Sequence, residues 1–196
     1  MSALTDAELD ALARHARASI EHALGGPAPA PPRGDVFDRP GATFVTVYRA
    51  DGELQGCIGS LEPSRPLARD VAHNARAAAI DDPRAEPLAP ADVPRLAVEV
   101  SVLSPHAPVP YDGTLAGACA ALSPGVDGVV LSWNGHRATF LPQVWDDVPD
   151  PADFLRQLAR KAGLPPRVWP AGVTLERYRV QKGVSPARAP TGEARA

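Results

Sequence analysis

The stretch Ala42-Thr43-Phe44-Val45-Thr46-Val47-Tyr48-Arg49-Ala50-Asp51-Gly52-Glu53-Leu54-Gln55-Gly56-Cys57-Ile58-Gly59 decides the fold. Its first half is rich in β-branched and aromatic residues, the composition of a strand. Asp51-Gly52 is a strong two-residue hairpin signal, so a return strand runs from Glu53 to about Ile58. A hairpin pairs its strands antiparallel, and helical patterns stand on both sides of this one. The expected class is therefore α+β, an antiparallel sheet with flanking helices. The return strand carries glycine on both sides of Cys57. Gly weakens strand packing, so its presence marks a bend or a close approach to the backbone. Side chains alternate across a strand, which predicts Leu54 and Ile58 on one face and Gln55 and Cys57 on the other.

Upstream, Thr5-Asp6-Ala7-Glu8 reads as a capping box. Leu9, Leu12, Ala16, Ile20 and Leu24 recur at helical spacing and predict a helix over 6–24, stopped by Gly25-Gly26. His15 and His22 are expected on its solvated surface. Residues 27–41 hold too much Pro and Gly for a regular element. Downstream, Pro66 suits the first turn of a helix, with Ser64 as candidate cap. Leu67, Val71, Ala75 and Ala78 form its buried stripe, and Asp81-Asp82-Pro83 end it. A loop is expected over 88–94. A strand follows over 96–103, with Val98, Val100 and Val102 opposite Glu99 and Ser101. A short helix over 115–122 precedes a second hairpin turning at Asn134-Gly135. Pro151 opens a further helix capped by Gly163, and a last strand covers 173–180. Residues 1–4 and 183–196 are expected to be flexible termini.

The 196-residue chain suits one domain with a larger and a smaller lobe, and 44% hydrophobic residues fit a globular protein. Net charge is −3 with the signs interspersed, and Pro numbers 23. Nucleic-acid binding calls for a clustered basic patch and is not expected. No uninterrupted apolar run of about 20 residues exists, so no membrane span is expected. The N-terminal stretch is acidic and does not read as a signal peptide. Cys57 and Cys119 form no CxxC and suit a reducing, cytoplasmic setting. No metal site and no cofactor are expected, since His106 and His136 have no second ligand at useful spacing.

Six segments follow in one order: Phe44-Val45-Thr46-Val47, Gln55-Gly56-Cys57-Ile58-Gly59-Ser60, Asp82-Pro83-Arg84, Glu99-Val100-Ser101-Val102-Leu103-Ser104, Gly125-Val126-Asp127-Gly128 and Thr139-Phe140-Leu141-Pro142-Gln143-Val144-Trp145. Together they resemble the AMMECR-type domain family, called in bacteria AmmeMemoRadiSam system protein A. The resemblance covers roughly residues 5–181. It implies a two-lobed α+β domain that works beside a Memo-type protein and a radical SAM protein. The chain has no CxxxCxxC for a radical SAM cluster and is not itself the radical enzyme. Two departures stand out. The family usually has Arg where this chain has Gln55, and Phe where it has Ala85.

Three roles are open to Cys57: a packed thiol, a ligand contact, or a nucleophile or redox thiol. A helix start at Pro66 would favour a thiolate if it pointed at the sulfur, and Glu62 would oppose it. Glu99 and His73 are the candidate bases. A ligand cleft is expected from Gln55, Gly56, Gly59, Glu62, Asn74, Arg84 and Gln143, with Asn74, Asp82 and Arg84 as a polar cluster. The leading expectation is an accessory ligand- or partner-binding protein without catalysis of its own. The alternative is an enzyme using Cys57 in a small-molecule or protein modification.

Overall fold

The computed structural model describes residues 3–165 and 169–187. In chain order the elements begin with α1 (Asp6–Ala23), α2 (Asp35–Asp38), β1 (Pro40–Gly41), β2 (Thr43–Tyr48), β3 (Leu54–Gly59), β4 (Arg65–Pro66) and α3 (Leu67–Arg76). A π-helical turn (Ala77–Asp81) extends α3, and a 3-10 helix (Pro90–Arg95) precedes β5 (Ala97–Leu103). Then come β6 (Ala107–Pro108), α4 (Leu115–Ala121), β7 (Gly128–Trp133), β8 (His136–Phe140), α5 (Val144–Asp147), α6 (Pro151–Lys161), β9 (Thr174–Tyr178) and β10 (Val180–Ser185). The chain divides into two compact units. One holds the described residues up to Leu103 and from Gln181 onward, and the other is Ser104–Val180.

In the first unit the expected hairpin forms, with β2 and β3 antiparallel. The sheet order is β10-β5-β2-β3, so β3 is an edge strand. β2 also pairs antiparallel with β5, Thr46 standing opposite both Cys57 and Glu99. One face of this sheet is valine: Val45, Val47, Val98 and Val100 are fully buried with Leu12, Ile20, Val71 and Ala75. The apolar stripes of α1 and α3 supply those partners, which is why both helices hold despite their many polar residues. Thr5 and Glu8 form the reciprocal cap at the start of α1.

The second unit has its own antiparallel sheet, ordered β6-β9-β7-β8. Its hairpin turns on Asn134 and Gly135, both at positive φ as a type I′ turn demands. The core joins Val129, Leu131 and Leu175 to Phe154, Leu155 and Leu158, and the Trp145 ring stacks on Phe154 at 3.6 Å.

Several expectations are corrected. The last strand is two strands, β9 in the second sheet and β10 in the first, because the chain leaves one sheet at Tyr178 and joins the other at Val180. The stretch expected to be a flexible tail begins inside β10. There Gly183 packs against α1, and Arg17 donates to the carbonyls of Ser185 and Pro186. Residues 188–196 lie outside the described residues, as do residues 1 and 2. Leu4 is buried, its N–H held by the Gln181 side chain at 2.8 Å. His15 is buried rather than solvated. Residues 27–41 include α2 and β1, and the loop expected over 88–94 contains the 3-10 helix. The N-cap of α3 is Pro66 itself, with no side-chain cap from Ser64.

Candidate functional site

The β2–β3 pairing is irregular at one point. Val47 stands opposite Gly56, but Tyr48 stands opposite Leu54. Gln55 is the extra residue of a bulge, and a bulge re-aims side chains. Gln55 is fully buried. Its Nε2 donates to the carbonyls of Ala79 (3.0 Å) and Glu86 (2.7 Å), and its Oε1 accepts from Arg49 (3.1 Å). It braces the π-turn against the sheet edge. The expectation that Gln55 and Cys57 share a face is thereby overturned.

The two glycines are explained by the protein's own chain. A Cβ at Gly56 would run into the Ala78 carbonyl and the Asp82 side chain, and one at Gly59 would run into the Phe44 ring. The close approach expected here is made by the π-turn and by a cross-strand aromatic. Two hollows of this unit are lined by other residues. One of about 330 Å³ sits among Leu24, Pro27, Pro90 and Val93, and one of about 150 Å³ sits beside Arg49, Asp51 and Leu96.

Cys57 remains partly exposed on the face opposite the valines. The Thr46 hydroxyl donates to its Sγ at 3.3 Å. Thr46 is also level with Glu99, whose Oε1 lies 3.0 Å from Lys182 Nζ, an ion pair rather than an aligned hydrogen bond. The result is a polar row across three strands and onto β10: Cys57, Thr46, Glu99, Lys182. Tyr48 flanks it, its phenol pushed up by burial, then by the Glu99 carboxylate and Cys57.

At the sheet edge the Cys57 N–H, which has no strand to pair with, donates to Asp82 Oδ2 at 2.9 Å. Arg84 grips the same carboxylate through Nε (3.0 Å) and Nη2 (2.8 Å), and its own N–H adds a third bond at 2.9 Å. Those bonds hold the buried Asp82 carboxyl well below the usual range, against the cost of burial. Arg84 and Asp82 thus meet beside Cys57. Asn74 does not join them. Its Nδ2 donates to the Thr43 carbonyl and to Asp70 Oδ2, both at 3.0 Å. Glu62 is exposed in the loop after β3, and Gln143 is the N-cap of α5 in the second unit.

Asp70 was not among the expected site residues. Fully buried, it accepts from Thr43 N–H (3.0 Å), Thr43 Oγ1 (2.7 Å), Ser60 Oγ (2.9 Å), Arg65 Nε (3.1 Å) and Asn74 Nδ2 (3.0 Å). It ties α3 to β2 and to both ends of the loop 60–65. The available signal was its spacing of four from Asn74, which puts both on one helix face.

A family model described as AMMECR1 matches residues 13–183. The chain belongs to the AMMECR1 family. An Aeropyrum pernix protein is similar to it at 38% identity over 171 residues, 85% of this chain and 73% of that one. A Methanocaldococcus jannaschii protein is 34% identical over 176 residues, 86% and 85% of the two chains. The crystal structure of an uncharacterized Pyrococcus horikoshii protein superposes with a TM-score of 0.82 at 29% identity, covering 93% of each chain. In this AMMECR1-family chain the polar groups around Cys57 lie on one sheet face and its edge. Among the described residues no group of three or more His, Cys, Asp or Glu is placed to hold a metal ion. Among them, too, no helix is long and apolar enough to cross a membrane.

Proposed function

We propose that this AMMECR1-family protein is an accessory ligand- or partner-binding protein of the AmmeMemoRadiSam type, acting with Memo-like and radical SAM proteins in the cytoplasm. Its site centres on Cys57 with Thr46, Tyr48 and Arg84. The observation that carries the reading is the company Cys57 keeps. Its sulfur takes a hydrogen bond from a hydroxyl. The candidate base Glu99 sits two strands away, roughly 10 Å along the sheet, and is paired with Lys182. The other candidate, His73, is exposed on α3, which packs on the valine side of the sheet. A nucleophilic thiol needs a base within hydrogen-bond reach or a strong positive neighbour. The nearby Arg84 guanidinium is largely committed to Asp82.

The test is the rate of Cys57 alkylation against pH in a Cys119→Ser background. A thiol that gains reactivity only above about pH 8 agrees with a binding role. One already fully reactive below pH 6 overturns it in favour of the enzyme. The partner half is tested by co-elution with the Memo-like and radical SAM proteins at micromolar concentration, where repeated failure counts against it.

A further inference from the structure

The solvent face of α3 carries only one sign of charge. Its exposed residues include Arg69, His73 and Arg76, and the first-turn acid, Asp70, is turned inward and buried. Arg69 has Arg65 and His73 four residues away and Pro66 and Ala72 three away, so no acid on its own helix offsets it at helical spacing. The backbone of the exposed Arg39 lies beside the start of α3. Its carbonyl accepts the Leu67 N–H at 2.8 Å, and β1 and β4 pair Gly41 with Arg65. Three arginines therefore surround the N-terminal end of a helix, where the macrodipole is already positive and cations are locally unfavourable. Arg65 is offset by the buried Asp70, but for Arg69 the rule is broken with no gain on its own helix, which points to a functional surface. Of these residues Arg76 has Asp81 and Arg65 has the buried Asp70 as partners. Exposed acids flank the cluster at Asp38 and Glu62.

We propose that the Arg69–His73–Arg76 face of α3, with Arg39 beside its start, docks an acidic segment of a partner protein. This goes beyond the preceding reading by naming a surface distinct from the Cys57 face and the chemistry it takes. Charge complementarity sets the occupant. From Arg69 to Arg76 the helix advances about 10 Å, the length of two turns of an acidic helix or a few extended residues. A long polyanion would extend past this patch onto a chain of net charge −3, so a protein segment is favoured over nucleic acid.

The probe is a fluorescein-labelled peptide alternating Glu with Ala and Leu, followed by anisotropy at low salt, with its Gln counterpart as control. The wild-type protein is expected to bind the Glu peptide saturably, and the R69E/R76E variant about tenfold or more weaker. Binding should fade as salt shortens the screening length. Arg69→Glu puts an acid where the helix dipole favours one, so thermal melting should confirm an intact fold. Arg69→Gln/His73→Gln, which removes charge without reversing it, should weaken binding to an intermediate degree. Absent binding by wild type, equal binding of the Gln peptide, or unchanged affinity in R69E/R76E overturns the proposal. So does tighter binding of a single-stranded oligonucleotide of matched charge through the same residues.

Discussion

Replacing Asp70 by Asn tests what holds the loop after Cys57. The carboxylate is fully buried, and its two oxygens receive five hydrogen bonds from Thr43, Ser60, Arg65 and Asn74. An amide keeps one acceptor oxygen and turns an NH2 toward donors. The Thr43 N–H and the Asn74 amide share Oδ2, so an NH2 there leaves both buried donors facing a donor. An NH2 at Oδ1 would face Arg65 and Ser60 instead. Breaking a buried charged pair by changing one partner costs about 3–5 kcal/mol. Arg65 is 37% exposed and recovers part of its solvation, so the lower half of that range is expected. For a unit of this size the loss lowers the melting temperature by roughly 10 °C or more. Far-UV circular dichroism is the assay for the whole chain. Tryptophan fluorescence reports the second unit, since Trp133, Trp145 and Trp169 all lie there. The CD transition should fall while the fluorescence transition moves less. A shift of under about 2 °C in CD would mean that the hub contributes less than 1 kcal/mol and would refute the reasoning.

Gly56→Ala drives a methyl into the Ala78 carbonyl. It should cost about 3 kcal/mol in urea unfolding, because backbone cannot step aside as a side chain can. Arg17→Met removes a buried cation that donates to the carbonyls of Val93, Leu96, Ser185 and Pro186. Leaving those acceptors unpaired should cost about 3 kcal/mol or more and speed hydrogen exchange in β10. The Asp82 carboxyl, lowered chiefly by Arg84, contributes stability that is present above its unfolded pKa and lost as pH falls toward the folded one. Arg84→Gln should therefore flatten the acid side of the stability curve below about pH 4. Burial pushes the His15 imidazole down, outweighing the carbonyls of Ala30 and Ala68. The unfolded chain then binds the extra proton first, so stability drops as pH falls through about 6.5. His15→Leu should remove that slope in urea titrations between pH 7 and 5.

How far these features were legible depends on the range of the forces involved. The first hairpin, the cap on α1 and the Asn134-Gly135 turn were readable because each is set within a few residues. The split of the last strand into β9 and β10 was not, because Arg179 carries no turn signal and both halves alternate as strands do. His15 sits where the periodicity of α1 says surface. It is buried all the same, near the backbone of Ala30 and Ala68, far along the chain from any local pattern.

The bulge at Gln55 explains why the site itself was read only in part. Period-two alternation predicts Gln55 beside Cys57, and one extra residue against Val47 and Tyr48 reverses that prediction. The same displacement carries the Gln55 amide to Ala79 and Glu86. That brings the chain around Asp82 to the sheet edge, where the Cys57 N–H meets its carboxylate. An Arg at position 55 would therefore enter a space where the present residue uses a neutral carbonyl to accept from Arg49. A second guanidinium there would have to displace Arg49 or turn toward Glu86, which already pairs with Arg49 at 2.8 Å. Gln55→Arg alone should destabilise the protein through like-charge crowding, while Gln55→Arg with Arg49→Gln should recover stability. If the double change melts no higher than the single one, the brace between β3 and the π-turn depends on the amide rather than on charge balance.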